Sequence, residues 1–284
     1  MMLKQLKSII HTITLRLFPS KTAPCLICKH DSPIKETAYH RTFYECPNCS
    51  LIFTLDYDIY TIQKGMGMEG SWTGPGGGGF REYWLAAFLS KELELKSILL
   101  FGTGNTITFR RLKEEGYNVA GCDITPELVE SRKKEFGDDS FFYPHMMPQD
   151  RRFDIIICVE VFEHFVEPRQ SFNYLTSILS DNGIICGTTN FYLGGSIVDS
   201  NNPGYMSHIR HIIYWSKESL KNIAKQYNLE TSCFEMISPG SVIPDEKFGQ
   251  LWPNKRVFFL HKAIYNDFFS KLFLKNPILP IDKP

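Results

Sequence analysis

Residues 97–105, SILLFGTGN, decide the fold of this chain, because a short apolar run passes directly into a glycine-rich turn. A helix is predicted near residues 105–115, and an apolar run of this length between turns is typical of a strand buried on both faces. Gly102 and Gly104 then fall at the carboxyl end of the strand, where a tight turn lets a ligand approach the backbone. The stretch therefore predicts the start of a ligand-binding α/β fold.

The same alternation of short apolar runs with helical stretches continues along the chain. Further strands are predicted at residues 118–122, 141–143, 154–159 and 183–188, and near 230–236 and 256–261. Further helices are predicted near residues 125–136, 168–179 and 216–227. Strands separated by helices indicate a parallel sheet with helices on both faces, so we predict a Rossmann-like, doubly wound α/β fold with a seven-stranded sheet.

The composition limits the classes of function. The chain has 284 residues, of which 43% are apolar, which is enough for one large domain and a small appendage. Lys+Arg and Asp+Glu both total 31, so the net charge of +0 counts against a nucleic-acid partner. Because no apolar run is long enough to span a bilayer and the start lacks the pattern of a signal peptide, we expect a cytoplasmic location.

Asp123 lies at the tip of the predicted strand 118–122 and follows the glycine pair by about twenty residues. In nucleotide-binding folds an acid at this place accepts hydrogen bonds from ribose hydroxyls, and the spacing favours one ligand shared with Gly102 and Gly104. The other interpretation is an N-cap for the helix that begins after Thr125 and Pro126. The ribose role is the favoured one.

Four stretches of the chain resemble the successive strand-end motifs of a known enzyme family. ILLFGTGN, VAGCDITPELV, FDIIICVEVFEHF and NGIICGTTN are similar to those of class I S-adenosylmethionine-dependent methyltransferases, especially the branch with the ubiquinone-biosynthesis O-methyltransferases. The resemblance covers residues 80–265. It implies that Gly102 and Gly104 hold the methionine half of S-adenosylmethionine. It also implies that Asp123 holds the ribose and that Ile124 flanks the adenine.

The chain departs from the pattern of this family at two positions. Leu100 stands where the family has an acid, two positions before the first glycine, and Thr106 stands where the family has a third glycine. These departures leave open a degenerate fold that serves as a binding or scaffold protein. The acids Asp123 and Glu160 together with His164 favour an enzyme.

Two acids and a histidine follow the fourth predicted strand. On a helix, Glu160, Glu163 and His164 would share one face, so that two carboxylates and an imidazole converge. His164 is then a candidate general base, or the group binds a divalent cation together with His208 or His211. The cation alternative resembles the metal site of the small-RNA 2′-O-methyltransferases. In a third interpretation Glu160 contacts the cofactor and the other two side chains orient the loop.

A glycine-rich stretch at residues 65–79, GMGMEGSWTGPGGGG, predicts a hinge or lid rather than a regular element. Arg81 follows this stretch closely. We predict that its guanidinium pairs with the carboxylate of the cofactor, because arginine binds carboxylates through two parallel hydrogen bonds.

Two pairs of cysteines form the most specific motif of the chain. Cys25 and Cys28 are separated from Cys46 and Cys49 by seventeen residues, the spacing of a four-cysteine zinc site on two knuckles. Four thiolates leave no open position for water, so the predicted zinc is structural. Two disulfides, the other interpretation, would need an oxidising compartment.

The cysteine motif resembles the zinc-binding front of sugar C-methyltransferases, and also that of certain ribosomal-RNA methyltransferases. We therefore predict a zinc ribbon at residues 21–62 and a methyltransferase domain at residues 63–284. Residues 1–20 carry apolar side chains at helical spacing and predict an amphipathic helix. This helix either docks on protein or contacts a membrane surface.

The predicted reaction is transfer of a methyl group to an oxygen of a small-molecule, sugar or lipid-linked acceptor. An RNA methyltransferase is the alternative enzyme. It would need a basic face studded with aromatic side chains, and the sequence shows no such cluster.

Overall fold

The computed structural model of the chain describes residues 20–59, 80–104, 107–199, 203–235 and 256–275. The amphipathic helix predicted over residues 1–20, apart from Ser20, lies outside these residues. The glycine-rich lid at residues 65–79 and the departure at Thr106 also lie outside them. Among the helices of the described part, none has the length and apolar character needed to cross a membrane.

Within these residues the chain forms strands β1–β12 and α-helices α1–α7. The strands are β1 (Thr22–Pro24), β2 (Asp31–Ala38), β3 (Arg41–Glu45), β4 (Ile52–Thr54), β5 (Ser97–Phe101), β6 (Asn118–Cys122), β7 (Phe141–Phe142), β8 (Phe153–Val159), β9 (Leu179–Thr189), β10 (Ile213–Tyr214), β11 (Glu230–Glu235) and β12 (Arg256–His261). The helices are α1 (Phe80–Leu93), α2 (Ile107–Glu114), α3 (Pro126–Phe136), α4 (Pro168–Ser177), α5 (Pro203–Ser207), α6 (Lys217–Lys225) and α7 (Asn266–Lys275).

The chain divides into two compact units, and each is described by itself. The described residues of the first unit are 20–59, 162–171, 190–199 and 203–223. Those of the second unit are 80–104, 107–161, 172–189, 224–235 and 256–275.

The second unit is built on a seven-stranded sheet with the strand order β11-β12-β9-β8-β5-β6-β7. The strands from β5 to β9 pair in parallel. β12 runs antiparallel between β9 and β11. This arrangement confirms the predicted α/β fold with its mostly parallel, Rossmann-like sheet of seven strands.

Apolar side chains bury the central strands of this sheet on both faces, as their sequence predicts. Ile98 and Leu99 of β5 and Ile155 and Ile156 of β8 have no exposed surface. Leu99 pairs with Ala120 on one side and with Ile156 on the other, so β5 lies in the middle of the parallel strands.

β5 is the point at which the strand order of the sheet reverses. From β5 the chain passes through α2 to β6 and then to β7, and it next crosses to β8 on the opposite side of β5. Open α/β sheets bind ligands beyond the carboxyl ends of their strands at such a point. The loops that follow β5, β6 and β8 are therefore the expected place for a ligand of this unit.

The first unit contains a five-stranded antiparallel sheet with the order β1-β2-β3-β4-β10. β2 and β3 form a hairpin whose turn residues, Tyr39 and His40, have φ angles of 53° and 58°. Two positive φ angles in succession are what a type I′ two-residue hairpin turn requires, and that turn follows the twist of the strands.

The first unit extends beyond the zinc ribbon that we predicted at residues 21–62. β10 pairs with β4, Ile213 opposite Phe53 and Tyr214 opposite Ile52, and so brings a distant part of the chain into the same sheet. Residues 162–171, 190–199 and 203–223, predicted as part of the domain 63–284, group with the cysteine motif.

The helix on which Glu160, Glu163 and His164 were to share one face does not form. Glu160 has a φ angle of 53°, outside the helical region, and Phe162–His164 is a single 3-10 turn. The chain also passes from the second unit to the first between Val161 and Phe162. Glu160 therefore belongs to one unit, and Glu163 and His164 to the other.

Candidate functional site

The loop after β5 contains the glycine pair of the second unit, and the two glycines differ in their surroundings. Gly102 and Gly104 have φ angles of 74° and 44°, which side chains rarely allow. A Cβ on Gly102 would lie 2.7 Å from Cγ2 of Val161, whereas a Cβ on Gly104 would meet none of the described residues within 4 Å. Packing thus requires the glycine at 102, and the space beside Gly104 is open for a ligand.

Asp123 follows β6 directly and connects the loops at the ends of β5 and β6. Its Oδ2 accepts a hydrogen bond of 3.2 Å from the amide of Gly104, and its Oδ1 accepts one of 2.9 Å from the amide of Thr125. Thr125, not Asp123, stands at the N-cap position of α3. Asp123 is largely buried, whereas its neighbour Ile124 exposes about half of its surface.

Arg81, Glu160 and Thr188 form a closed ring of hydrogen bonds at the carboxyl ends of β8 and β9. Arg81 Nη1 donates to Glu160 Oε1 over 2.8 Å and to Thr188 Oγ1 over 2.9 Å. Thr188 Oγ1 donates to Glu160 Oε1 over 2.8 Å. The guanidinium predicted to pair with a cofactor carboxylate is thus paired with the carboxylate of Glu160.

The two cysteine motifs of the first unit have the same backbone geometry. In each, the amide of the first cysteine donates to the carbonyl five residues later, Cys25 to His30 over 2.8 Å and Cys46 to Leu51 over 2.9 Å. The residue after the second cysteine of each motif has a positive φ angle, 62° for Lys29 and 56° for Ser50. Its amide donates back to the carbonyl of the first cysteine, over 3.1 Å and 2.9 Å. Each motif is therefore a tight turn that presents two sulfurs on one side.

The four sulfurs converge at one point. Sγ–Sγ distances are 3.5 Å between Cys25 and Cys49, 3.4 Å between Cys28 and Cys46 and 3.8 Å between Cys28 and Cys49. A tetrahedral zinc with bonds of about 2.3 Å has edges of about 3.8 Å, so the group is of the right size to hold one ion. The contact with Cys49 lowers the pKa of the Cys25 thiol to about 5, and the same contact raises that of Cys49.

Glu163, His164 and His211 form a second group of side chains in the first unit that could hold a metal ion. One ligand atom from each of the three side chains lies within 4.8 Å of the others. Glu163 has no exposed surface, and its carbonyl accepts a hydrogen bond of 2.8 Å from the amide of Ile212. That hydrogen bond joins the 3-10 turn at residues 162–164 to the segment that carries His211.

Hydrogen bonds to backbone carbonyls orient both imidazoles of this group. Nδ1 of His164 lies 3.0 Å from the carbonyl of Arg210, and Nδ1 of His211 lies 2.8 Å from the carbonyl of Tyr205. A carbonyl only accepts, so Nδ1 donates in both, and a ring that is neutral then carries its lone pair on Nε2. Burial, with His164 and His208 nearby, lowers the pKa of His211 to about 2, so this imidazole stays neutral.

His208 adopts the opposite tautomer. Its Nδ1 accepts a hydrogen bond of 3.3 Å from the amide of Arg210, which places the proton of the neutral ring on Nε2. Burial lowers the pKa of His208 too. Of the two histidines that the sequence offered as a further ligand, the geometry thus brings His211 to Glu163 and His164, and the ring of His208 packs 4.3 Å from that of His211.

The sequence analysis missed Arg41 and Thr188. Both are buried polar residues whose partners are distant in sequence; Arg41 lies in no motif, and Thr188 lies in the stretch NGIICGTTN, where nothing singles it out. Arg41 is an ordinary strand residue in the sequence, so no local signal distinguishes it. Only the contacts show that it belongs beside His211.

A family model described as a methyltransferase domain matches residues 80–233, more than half of the 284 residues. The comparison with curated proteins found no match.

Several solved structures are similar to this chain. The CcbJ methyltransferase from Streptomyces caelestis has 12% identity and a TM-score of 0.49 over 73% of this chain and 100% of that one. The 1,6-didemethyltoxoflavin-N1-methyltransferase from Burkholderia thailandensis has 12% identity and a TM-score of 0.48 over 81% and 98%. The magnesium protoporphyrin IX methyltransferase from Synechocystis PCC 6803 has 16% identity and a TM-score of 0.44 over 63% and 80%.

Proposed function

Because the chain belongs to the family of methyltransferase domains and is therefore an S-adenosylmethionine-dependent methyltransferase, we propose that it methylates an oxygen of its acceptor. The acceptor class that we propose is a small molecule, a sugar or a lipid-linked intermediate. The observation that carries this proposal is the group of Glu163, His164 and His211, whose chemistry suits the activation of a hydroxyl. The resemblance to the ubiquinone-biosynthesis O-methyltransferases also favours oxygen.

In the proposed second-unit site, the loops after β5 and β6 bind S-adenosylmethionine. The open space beside Gly104 suits the methionine half of this molecule, and the carboxylate of Asp123 is an acceptor for the ribose hydroxyls. Half-exposed Ile124 offers an apolar surface to the adenine. S-adenosylmethionine, when bound, supplies an electrophilic methyl group on a sulfonium.

Methyl transfer is an in-line displacement. The acceptor oxygen bonds to the methyl carbon, the carbon–sulfur bond breaks with its electron pair on sulfur, and the hydroxyl proton is released. The protein contributes chiefly orientation and the exclusion of water. Removing the hydroxyl proton is the step for which a side chain or a cation is needed, because a neutral hydroxyl is a weak nucleophile.

We propose that Glu163, His164 and His211 hold a divalent cation. One carboxylate and two imidazoles are ligands for Mn²⁺, Zn²⁺ or Fe²⁺, and three protein ligands leave positions for an acceptor oxygen. A divalent cation at this place lowers the pKa of a hydroxyl that it binds. Glu160, which the sequence analysis also assigned to this group, instead pairs with Arg81 in the second unit.

We further propose that Cys25, Cys28, Cys46 and Cys49 bind a structural zinc. The spacing of their sulfurs fits one tetrahedral ion, and three of the four residues are almost fully buried. A closed sphere of four thiolates has no position for an acceptor, so this zinc supports the fold of the first unit and takes no part in the reaction.

The first test is calorimetric titration of the zinc-replete protein with S-adenosylmethionine, S-adenosylhomocysteine and NAD. Binding of the first two and not of NAD is expected. Transfer to hydroxylated acceptors is then followed by release of S-adenosylhomocysteine, with and without a chelator dose that leaves the ribbon zinc in place. Loss of transfer that Mn²⁺ restores supports the cation, whereas transfer that the chelator leaves unchanged would make His164 a simple base.

A further inference from the structure

Arg41 lies at the start of β3, between the two cysteine motifs. Its guanidinium is buried against residues 208–211 of the first unit, which we call the histidine segment. Nη1 donates to the carbonyl of His208 over 2.9 Å and to the hydroxyl of Tyr214 over 2.9 Å. Nη2 donates to the carbonyl of His211 over 2.5 Å. A residue 6% exposed thus fixes the backbone of the segment that presents His211.

We propose that Arg41 is a positioning residue for the divalent-cation site. Through Arg41, the four-cysteine module (residues 22–54) holds His211 in place to bind the ion. This inference rests on the proposed function, because the cation site itself is part of that proposal. Arg41 donates hydrogen bonds to main-chain carbonyls of this segment and to the hydroxyl of Tyr214. It acts on the main chain at residues 208–211, which carries the imidazole of His211.

The geometry of the guanidinium is suited to this task. Its planar fork donates to several acceptors in fixed directions, so it can hold two carbonyls and a hydroxyl at once. A lysine ammonium donates from a single point and does not reproduce the fork. Arg41 is buried, so water does not replace its N–H groups when they are removed. The carbonyls that accepted from them are then left without a hydrogen-bond donor.

A second connection runs from the same module to another ligand of the site. β4, which follows the second cysteine motif, donates from the amide of Thr54 to the carbonyl of Ile212 over 3.0 Å. The amide of Ile212 in turn donates to the carbonyl of Glu163 over 2.8 Å. The sheet of the cysteine module therefore supports both the His211 segment and the turn with Glu163, and Arg41 is the side chain that completes this support.

The test is titration of the zinc-replete full chain with Mn²⁺, followed by the loss of the paramagnetic resonance signal of the free ion. The variants are Arg41→Lys and, as a reference for loss of a ligand, His211→Ala. Lys35→Gln is the matched control, because Lys35 is a cation of the same sheet that pairs with Glu45 instead of the histidine segment. Zinc content and S-adenosylhomocysteine affinity are measured for each variant.

We expect Arg41→Lys to weaken Mn²⁺ binding by about 10–100-fold, the usual effect of losing a residue that orients a metal ligand. Zinc content and S-adenosylhomocysteine affinity should match the wild type, and Lys35→Gln should bind Mn²⁺ normally. Equal Mn²⁺ binding by wild type and Arg41→Lys overturns the role of Arg41. Failure of the wild type to bind Mn²⁺ overturns the proposed cation site as well.

A milder variant decides the question if Arg41→Lys also loses the ribbon zinc. Tyr214→Phe removes one hydroxyl that accepts from Arg41 and donates to the carbonyl of Met206 over 2.9 Å. With zinc retained, it should weaken Mn²⁺ binding by about fivefold, the effect of one net hydrogen bond. Unchanged binding in this variant also overturns the inference.

Discussion

Gly102 and Gly104 stand two residues apart, yet a methyl group has a different consequence at each. Gly102→Ala puts a Cβ 2.7 Å from Val161 at a φ angle of 74°, so it should destabilise the second unit by about 1–3 kcal/mol. Gly104→Ala meets no atom of the described residues within 4 Å and should cost only about 1 kcal/mol of backbone strain. Its main effect should be weaker binding of S-adenosylhomocysteine.

Thermal unfolding and calorimetric titration of both variants separate these two effects. A Gly104→Ala protein that binds S-adenosylhomocysteine as tightly as the wild type would show that the space beside Gly104 is not part of the site.

Asp123 links the loop after β5 to the start of α3, and in the proposed site its carboxylate accepts from the ribose hydroxyls. Asp123→Ala should weaken binding of S-adenosylhomocysteine by about 10–100-fold, the usual effect of losing hydrogen bonds to a charged acceptor. Calorimetry provides the measurement, and Glu127→Ala, which removes a nearby exposed acid, is the control. Equal affinities for Asp123→Ala and wild type would remove the ribose assignment.

At the scale of the element, the two cysteine turns are equivalent halves of the proposed zinc site. Cys25→Ser and Cys46→Ser should each abolish stoichiometric zinc, because a four-thiolate site loses its closed geometry with any one ligand. Metal analysis and thermal unfolding of the purified variants measure this. Cys233→Ser, which removes a cysteine of the second unit far from the motif in sequence, should retain zinc. A zinc-free wild type contradicts the ribbon.

Some of the strands and helices could be predicted from their own sequence, and others could not. The parallel strands were predictable because each is a short apolar run between turns and helices, and β5, β6 and β8 lie within a residue of the predicted bounds. α1 and the two-residue β10 were not predicted. α1 follows a glycine-rich stretch, and β10 is too short to show any periodicity and depends on β4 as its partner.

For the whole molecule, the two proposed ligands should act on different units. Hydrogen exchange followed by mass spectrometry should show that S-adenosylhomocysteine protects the loops at residues 102–104 and 123–125. Mn²⁺ should protect residues 162–165 and 206–212, because it fixes the segments that carry its ligands. Mn²⁺ protection that is absent from both of these segments would contradict the assignment of the cation to the first unit.

The sequence by itself determined the features that depend on neighbours along the chain. Alternating apolar runs and helices predict the seven-stranded sheet, and the positions of Gly104 and Asp123 at successive strand ends predict that they meet. The spacing of the cysteines predicts that four sulfurs converge. Each of these is a local pattern, set by the period of a strand or helix or by the length of a turn.

The tertiary structure alone decided which distant side chains meet. It pairs Glu160 with Arg81 and brings His211 to Glu163 and His164. It also sets the orientation of the His211 imidazole, because the partner of its Nδ1 is the carbonyl of Tyr205. Arg41 and His211 are 170 residues apart in sequence and in hydrogen-bond contact in the fold. No periodicity or spacing encodes such contacts, because they arise from the packing of β10 and the histidine segment against the cysteine module.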